Sequence, residues 1–175
     1  MLTDFMSYVN YFTPMIFAAL AVAVALRAGL FNIGVSGQML AAGFTASIIV
    51  GYSSLNAVLA KPLVVIIGLI VGGLVGGLIG FLKYRFNINE VVSSIMLNYT
   101  FQYVISFFIN TFFVDPVSRQ SKEISAASRL TLMDTMVGNL KMDIPLGIIL
   151  ALLTVVAVWF LLEKTKLGYE LKAVG

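Results

Sequence analysis

Long apolar runs are the feature of this sequence that most constrains its fold. Five of them are long enough to cross a bilayer, which takes roughly 20 helical residues at about 1.5 Å each. Hydrophobic residues make up 60% of the 175 residues and the mean hydropathy is +1.01, which is too apolar for a water-soluble domain. We therefore predict an all-α, polytopic integral membrane protein with about five transmembrane helices. The predicted spans are residues 8–26, 30–52, 63–82, 91–114 and 144–162.

Several classes of function lack the residues that they need. The chain has no cysteine and no histidine, so thiolate or imidazole metal sites and Ser–His or Cys–His nucleophiles are excluded. No Walker A pattern occurs, and no cluster of basic residues is dense enough to bind nucleic acid. An intramembrane enzyme would have only Glu90 for acid–base chemistry, and Glu90 better suits a helix start or a pair with Lys83 or Arg85. We predict no enzymatic activity, no metal and no cofactor of its own.

Basic residues in the loops give a small preference for one orientation. With the C-terminal tail in the cytoplasm, six Lys or Arg side chains lie inside and five outside, as the positive-inside rule favours. The long loop at residues 115–143, whose Ser/Ala/Thr-rich middle has room for a short surface helix, then faces outward.

Glycines recur at steps of four along the third span, GLIVGGLVGGLIGFL. Small residues at this spacing allow helix backbones to approach closely in lipid. We predict that this row packs against another helix. Its members are Gly68, Gly72, Gly76 and Gly80, with Gly73 and Gly77 in a second row.

Polar side chains recur at the same spacing along the fourth span. Four residues advance about 400° around a helix, so the row drifts by about 40° per step. Hydrogen bonding between helices explains such a row, and so does a cavity that admits a solute; the residues leave both interpretations open. Tyr99 and Tyr103 lie beside the row, in positions to stack on a planar group or simply to pack. The row is Glu90, Ser94, Asn98, Gln102, Ser106 and Asn110.

Three glycines interrupt the second span near its start, in RAGLFNIGVSGQML. Each costs about 1 kcal/mol relative to alanine in a helix, so we predict a broken helix near residues 29–38. Broken backbone is tolerated at membrane depth only where it packs in protein or lines a water-filled cavity. A helix–loop–helix at the cytoplasmic face and a broken helix beside a translocation path both fit. The uncharged polar residues here are Asn32, Ser36 and Gln38.

Three stretches resemble the permease subunits of ABC importers for nucleosides, within the wider family that handles branched-chain amino acids and simple sugars. They are LRAGLFNIGVSGQML at 26–40, NEVVSSIMLNY at 89–99 and TKLGYELKAVG at 165–175. The resemblance extends along essentially the whole chain. Ser36 departs from it, because the family commonly has Glu there. Members are about twice this length, so we expect a single permease domain over residues 1–175 that lacks its second half and a first helix.

The resemblance implies a function, partners and a location. We expect an importer subunit of the cell membrane that moves nucleosides, with ATP used by a separate ATPase subunit. A second permease subunit and an extracytoplasmic binding protein are the other implied partners. The expected substrate pathway is formed by Asn32, Ser36, Gln38, Ser94, Asn98, Tyr99 and Gln102. The expected ATPase contact is formed by Gly168, Tyr169, Glu170 and Lys172.

Two alternatives to nucleoside import stay open at this point. A simple-sugar permease has the same architecture with a different cargo. A membrane scaffold protein without transport would keep the glycine rows as its main feature and would tolerate leucine at Asn98 or Gln102. No Asp, Glu or Lys lies in the middle of a span, which argues against an ion-coupled carrier.

Overall fold

The computed structural model describes residues 2–114, 120–121, 123–137 and 140–174. Its six α-helices are α1 (Leu2–Arg27), α2 (Val35–Ala46), α3 (Ala57–Phe86), α4 (Glu90–Phe108), α5 (Leu146–Lys164) and α6 (Lys166–Val174). Two π-helical turns, Ser47–Gly51 and Ile109–Phe113, extend α2 and α4, and Ala126–Ser128 is a 3-10 turn. Two strands, β1 (Thr131–Val137) and β2 (Leu140–Pro145), form an antiparallel pair.

The helical membrane architecture predicted from the apolar runs is confirmed. Among the described residues, four segments are long and apolar enough to cross a bilayer: Tyr8–Arg27, Ala57–Phe86, Glu90–Phe113 and Leu146–Lys164. The fifth, Val35–Gly51, is apolar but shorter. It is short because the backbone from Ala28 to Gly34 is not helical. The predicted break is therefore present, but it ends at Gly34, and residues 35–38 are already part of α2.

The strand pair was not predicted from the sequence. Only a short surface helix was expected in the long loop, and the described part of that loop contains the 3-10 turn followed by β1 and β2. The register joins Val137 to Leu140 and Thr131 to Pro145, with an irregularity between Thr131 and Met133. In the sequence, Gly138 followed by Asn139 is a typical hairpin signal, from which the strand pair could have been predicted. Residues 115–119, 122 and 138–139 of the predicted loop lie outside the described residues.

The contacts divide the chain into two compact units. One comprises the chain up to Phe31 and the chain from Leu130 onward, and the other is Asn32–Arg129. In the first unit α1 packs on α5, and Gly147 leaves room for Thr13, whose Cγ2 would lie 3.0 Å from an added Cβ. The prediction of a single permease domain stays a prediction.

In the second unit, α2 packs between α3 and α4. Ala41, Val75 and Ile105 are its buried apolar centre, one residue from each helix. Four half-buried apolar residues surround them: Phe44, Val71, Phe101 and Ile109. The small Ala41 in the middle helix allows the larger side chains of α3 and α4 to close over it.

The end of α1 is set by Gly29. Its φ of 68° is the left-handed conformation that glycine adopts without steric cost. The Gly29 N–H donates to the carbonyl oxygen of Leu26 at 3.1 Å, and the Leu30 N–H donates to that of Ala25 at 2.9 Å. This pair of bonds is the Schellman motif, which satisfies the last carbonyls of a helix. The break therefore begins at a helix C-cap whose hydrogen bonds are formed.

The tight connection between α3 and α4 is built from local polar contacts. Asn87 ends α3 in the left-handed conformation, with φ 52° and ψ 31°. Asn89 begins α4, and its side chain accepts a hydrogen bond from the Val91 N–H at 2.9 Å. Lys83 and Glu90 pair across the turn at 2.8 Å. Glu90 thus takes the structural role that its position at a helix start indicates.

Candidate functional site

Asn98 of α4 holds the start of α2 in place. The first turn of a helix leaves backbone N–H groups without partners, and a side chain at the N-cap usually accepts one of them. The N-cap of α2 is Gly34, which has no side chain. Asn98 Oδ1 instead accepts from the Gly37 N–H at 2.8 Å, and Asn98 Nδ2 donates to the Ile33 carbonyl oxygen at 2.9 Å. We call this pair of hydrogen bonds the Asn98 clasp.

Asn32 completes the polar structure of the break. Its Oδ1 accepts from the Gly34 N–H at 2.7 Å, a local turn that competes with helix formation. The helix resumes directly afterwards, where the Gln38 N–H donates to the Gly34 carbonyl oxygen at 3.0 Å. Asn32 and Asn98 therefore accept hydrogen bonds from two backbone N–H groups at the start of α2, those of Gly34 and Gly37.

Gly34 and Gly37, at the start of α2, allow a close approach between helices. A Cβ on Gly37 would lie 2.6 Å from Asn98 Oδ1 and 3.0 Å from Asn98 Cα. A Cβ on Gly34 would lie 2.8 Å from Ile79 Cδ1 and 3.2 Å from Ser94 Cβ. The clasp needs α2 and α4 at this distance, so side chains at either glycine would push them apart.

A cavity of about 350 Å³ lies beside the clasp. Ser36, Asn98, Tyr99 and Gln102 line it, together with Ile33 and Ile95. No lining side chain carries a charge, and the polar ones offer both donors and acceptors. Tyr99 is 55% exposed and stacks on Tyr103 at 6.5 Å between ring centroids. Such a site suits a neutral solute with hydrogen-bonding groups.

Three of the seven predicted pathway residues do not line this cavity. Asn32 is engaged by the turn described above. Ser94 is fully buried, and its hydroxyl donates to the Val91 carbonyl oxygen at 3.0 Å. Gln38 faces α3, where its Nε2 would lie 3.1 Å from a Cβ on Gly76. The assignment of all seven to a pathway stays a prediction.

The glycine rows of α3 are largely open. A Cβ on Gly68, Gly72 or Gly80 would meet nothing within 4 Å in the described part of the chain. The same holds for Gly73 and Gly77, and only Gly76 has the close neighbour Gln38. The predicted role of Gly68, Gly72, Gly76 and Gly80 in helix packing stays a prediction.

The predicted ATPase-contact residues lie on α6, a short helix after α5. Tyr169 and Glu170 are exposed, whereas Gly168 is buried. A Cβ on Gly168 would overlap the carbonyl oxygens of Leu161 and Leu162, so glycine permits the sharp turn between the helices. Tyr169, Glu170 and Lys172 are thus the exposed members of the predicted set, and its assignment to an ATPase contact stays a prediction.

An ionic cluster links α6 to the end of α1 within the first unit. Glu163 Oε1 accepts from Lys172 Nζ at 2.7 Å and lies 3.5 Å from a guanidinium nitrogen of Arg27. All three side chains are at least one-third exposed, so the cluster contributes little to stability. Lys172, predicted as an ATPase contact, pairs with Glu163.

Comparison with known proteins decides the family. The family described as "Branched-chain amino acid transport system / permease component" matches residues 5–175. The chain belongs to this permease family. The family comprises transport proteins rather than enzymes, and with four helices long and apolar enough to cross a bilayer the chain is a multi-pass protein of the cell membrane.

Individual relatives give a narrower comparison. The chain is 39% identical to the guanosine ABC transporter permease protein NupP of Bacillus subtilis, over 95% of the chain and 48% of the relative. It is 38% identical to the nucleoside ABC transporter permease protein NupB of Lactococcus lactis, over 93% and 46%. It is 31% identical to the glucose ABC transporter permease protein TsgB13 of Haloferax volcanii, over 93% and 44%. The chain spans about half the length of these curated relatives. No solved structure matches it.

Proposed function

We propose that the chain is part of the membrane-spanning permease subunit of a binding-protein-dependent ABC importer that moves nucleosides into the cell. The observation that carries this proposal is 39% and 38% identity to a guanosine and a nucleoside permease over nearly the whole chain. The uncharged cavity beside the Asn98 clasp supports it, because nucleosides are neutral and rich in hydrogen-bonding groups. The glucose permease of Haloferax volcanii, at 31% identity, keeps a sugar as the second candidate cargo.

The proposed partners follow from the importer class. A separate ATPase subunit uses ATP and contacts α6, a second copy or a related permease subunit completes the pathway, and an extracytoplasmic binding protein delivers the solute. The chain itself needs no cofactor in this proposal. Tyr169 and Glu170 support the placement of the ATPase, because they are exposed polar residues in the middle of α6.

Uptake of labelled guanosine tests the cargo. Cells that carry the full native gene are compared with cells deleted for it, with other nucleosides, ribose and leucine as competitors. We expect deletion to abolish an uptake that nucleosides block and that ribose and leucine do not. Lost ribose uptake with intact guanosine uptake would move the cargo to sugars. If no solute uptake changed, the scaffold alternative would replace transport.

Replacement of Gln102 by leucine tests the cavity. Gln102 lines the cavity without belonging to the clasp, so the change removes polar groups and leaves the break intact. We expect a roughly 2- to 10-fold lower uptake rate, the worth of one neutral hydrogen bond. Thr100→Val is the matched control, because the Thr100 hydroxyl bonds within its own helix to Met96. Equal uptake by the two variants would remove the cavity from the pathway.

A further inference from the structure

A second cleft lies at the other end of α2 and α4 from the clasp. The two helices run side by side in the same direction, since Gly37 meets Asn98, Phe44 meets Phe108 and Tyr52 meets Phe113 in order. From Asn98 to Phe113 the helix rises by about 20 Å. The cleft is therefore separate from the cavity at the clasp, although both are formed by the same two helices.

Both helices change to π-helical turns at this end. Ser47–Gly51 ends α2 and Ile109–Phe113 ends α4. A π turn inserts an extra residue, rotates the side chains that follow, and occurs frequently at functional sites. The chain then folds back across the helix ends, where the Ser125 N–H donates to the Gly51 carbonyl oxygen at 2.9 Å and Val114 bridges to Ser121. Two adjacent π turns thus shape one cleft.

One half of the cleft is aromatic. Its volume is about 300 Å³, and its walls include Phe44, Tyr52 and Phe113. The Tyr52 and Phe113 rings are nearly parallel, at 10° with centroids 5.3 Å apart, and the Phe44 ring meets Phe113 edge-on at 6.2 Å. Tyr52 is exposed and Phe44 and Phe113 are half-buried, and flat rings in this arrangement offer a surface on which a planar heterocycle stacks.

The other half adds polar and charged side chains to a largely apolar wall. Its volume is about 500 Å³, and Ser121, Glu123 and Arg129 line it with Ser128. The two halves adjoin each other and share the lining residues Gly43, Ser47, Ser121 and Ile124. A site with one aromatic end and one end of hydroxyl, carboxylate and guanidinium groups fits an amphipathic solute. A lipid chain would leave the polar side chains unused. The charges of Glu123 and Arg129 offset each other, so the negative charge of a phosphorylated nucleotide would stay unbalanced there.

We propose that this cleft is a second solute station, which holds a nucleoside with its base against Tyr52 and Phe113 and its sugar hydroxyls toward Ser121, Glu123 and Arg129. The inference rests on the proposed nucleoside transport and adds a binding site to it. In the orientation that the basic residues favour, the cleft lies on the outer side, where solute enters. The clasp cavity is then the later station along the same pair of helices.

Photolabelling with 8-azidoguanosine tests the station. The complete transporter in nanodiscs, without its binding protein, is illuminated with the probe, and the labelled peptides are identified by mass spectrometry. We expect label on peptides that contain Tyr52 or Phe113. Guanosine should compete with the label, guanosine monophosphate should compete at least fivefold less well, and ribose alone should not compete. Label confined to peptides of residues 95–102, or absent from both sites, overturns the second station.

Two variants and one control make the assignment specific. Phe113→Leu keeps an apolar side chain but removes the flat ring, so we expect roughly 5- to 10-fold less labelling, within the range measured for base stacking. Phe112→Leu is the control, since Phe112 is 65% exposed and lies outside the lining of the cleft. Arg129→Gln, at an exposed position where misfolding is not expected, should weaken competition by guanosine about threefold or more and leave competition by guanine unchanged.

Uptake by the same transporter with its binding protein distinguishes failure of the second station from failure of the proposed nucleoside transport. If wild-type protein imports guanosine and Phe113→Leu labels as well as Phe112→Leu, the second station is wrong and the proposed function stands. If wild-type protein imports no nucleoside, the proposed function is wrong, and the nucleoside station is wrong with it.

Discussion

A methyl group added at Gly37 perturbs the Asn98 clasp at the residue that donates one of its two hydrogen bonds. Gly37 lies in the first turn of α2, and its N–H is the donor of the clasp. The added Cβ would lie 2.6 Å from Asn98 Oδ1 and 3.0 Å from Asn98 Cα. Because Cα belongs to the backbone, rotation of the Asn98 side chain alone does not relieve the contact.

The expected cost of Gly37→Ala follows from three opposing contributions. Alanine gains about 0.5–1 kcal/mol over glycine in a helix. Overpacking costs about 1–3 kcal/mol, and loss of the hydrogen bond to Asn98 costs about 0.5–1.5 kcal/mol. The clash therefore outweighs the helix propensity, and we expect a net loss of about 0.5–4 kcal/mol in the free energy of unfolding.

Gly72→Ala is the matched control, because the same methyl group there meets nothing within 4 Å in the described chain. It should stabilise by about 0.5–1 kcal/mol. The assay is reversible unfolding of the purified full-length protein in mixed micelles with increasing sodium dodecyl sulfate. Equal unfolding free energies for the two variants would refute the close approach of α2 to α4. A Gly72→Ala variant that is strongly destabilised would instead show that the glycine row is covered.

Three further changes test other parts of the chain. Asn89→Ala removes the side-chain acceptor for the Val91 N–H and should lower the unfolding free energy by about 0.5–2 kcal/mol in the same assay; no change would mean that the cap is replaced by water. Asn87→Val should lower the unfolding free energy by about 1–2 kcal/mol, because a β-branched residue is strained at a φ of 52°. Asn87→Gly should be nearly neutral. Equal effects of the two changes would contradict the left-handed turn. Glu170→Lys reverses an exposed charge on α6 and should lower ATP-driven guanosine uptake severalfold at normal membrane insertion; full uptake with normal recovery of the ATPase would argue against a contact there.

The membrane spans were predictable because a long apolar run has few alternatives to a helix in lipid. Their ends were less predictable. The third span was predicted at residues 63–82, but α3 begins at Ala57 and includes Pro62. Hydropathy marks the part of a helix that lies in lipid, and it does not mark the turns that extend beyond it.

The site was predictable as a set of polar residues but not as a geometry. Ser36 and Gln38 are two residues apart on α2, so they point about 200° apart, and only Ser36 lines the cavity. Ser94 and Asn98 are four residues apart on α4, so their side chains lie about 40° apart around the helix. Ser94 therefore packs closely against Gly34. These outcomes depend on the rotation of each helix against its neighbours, which the spacing alone does not specify.

Long-range partners explain the remaining differences. The break ends at Gly34 because Asn98 caps the next turn from a position 61 residues beyond Gly37. The aromatic cleft was not predicted either, because its rings come together only through the two π turns. Nothing in the local sequence around Phe44, Tyr52 or Phe113 distinguishes them from other apolar residues near the end of a span.

The Asn98 clasp also constrains the order in which the helices reach their final form during synthesis. The amide that satisfies the Gly37 N–H is made 61 residues later, which at roughly 5–20 residues per second is a delay of about 3–12 s on the ribosome. During that interval the glycine-rich start of α2 has no Asn98 to bond, and its polar backbone needs water or the insertion machinery. The second span therefore reaches its final form only after the fourth has emerged, so biogenesis of this permease is not strictly sequential from the N-terminus.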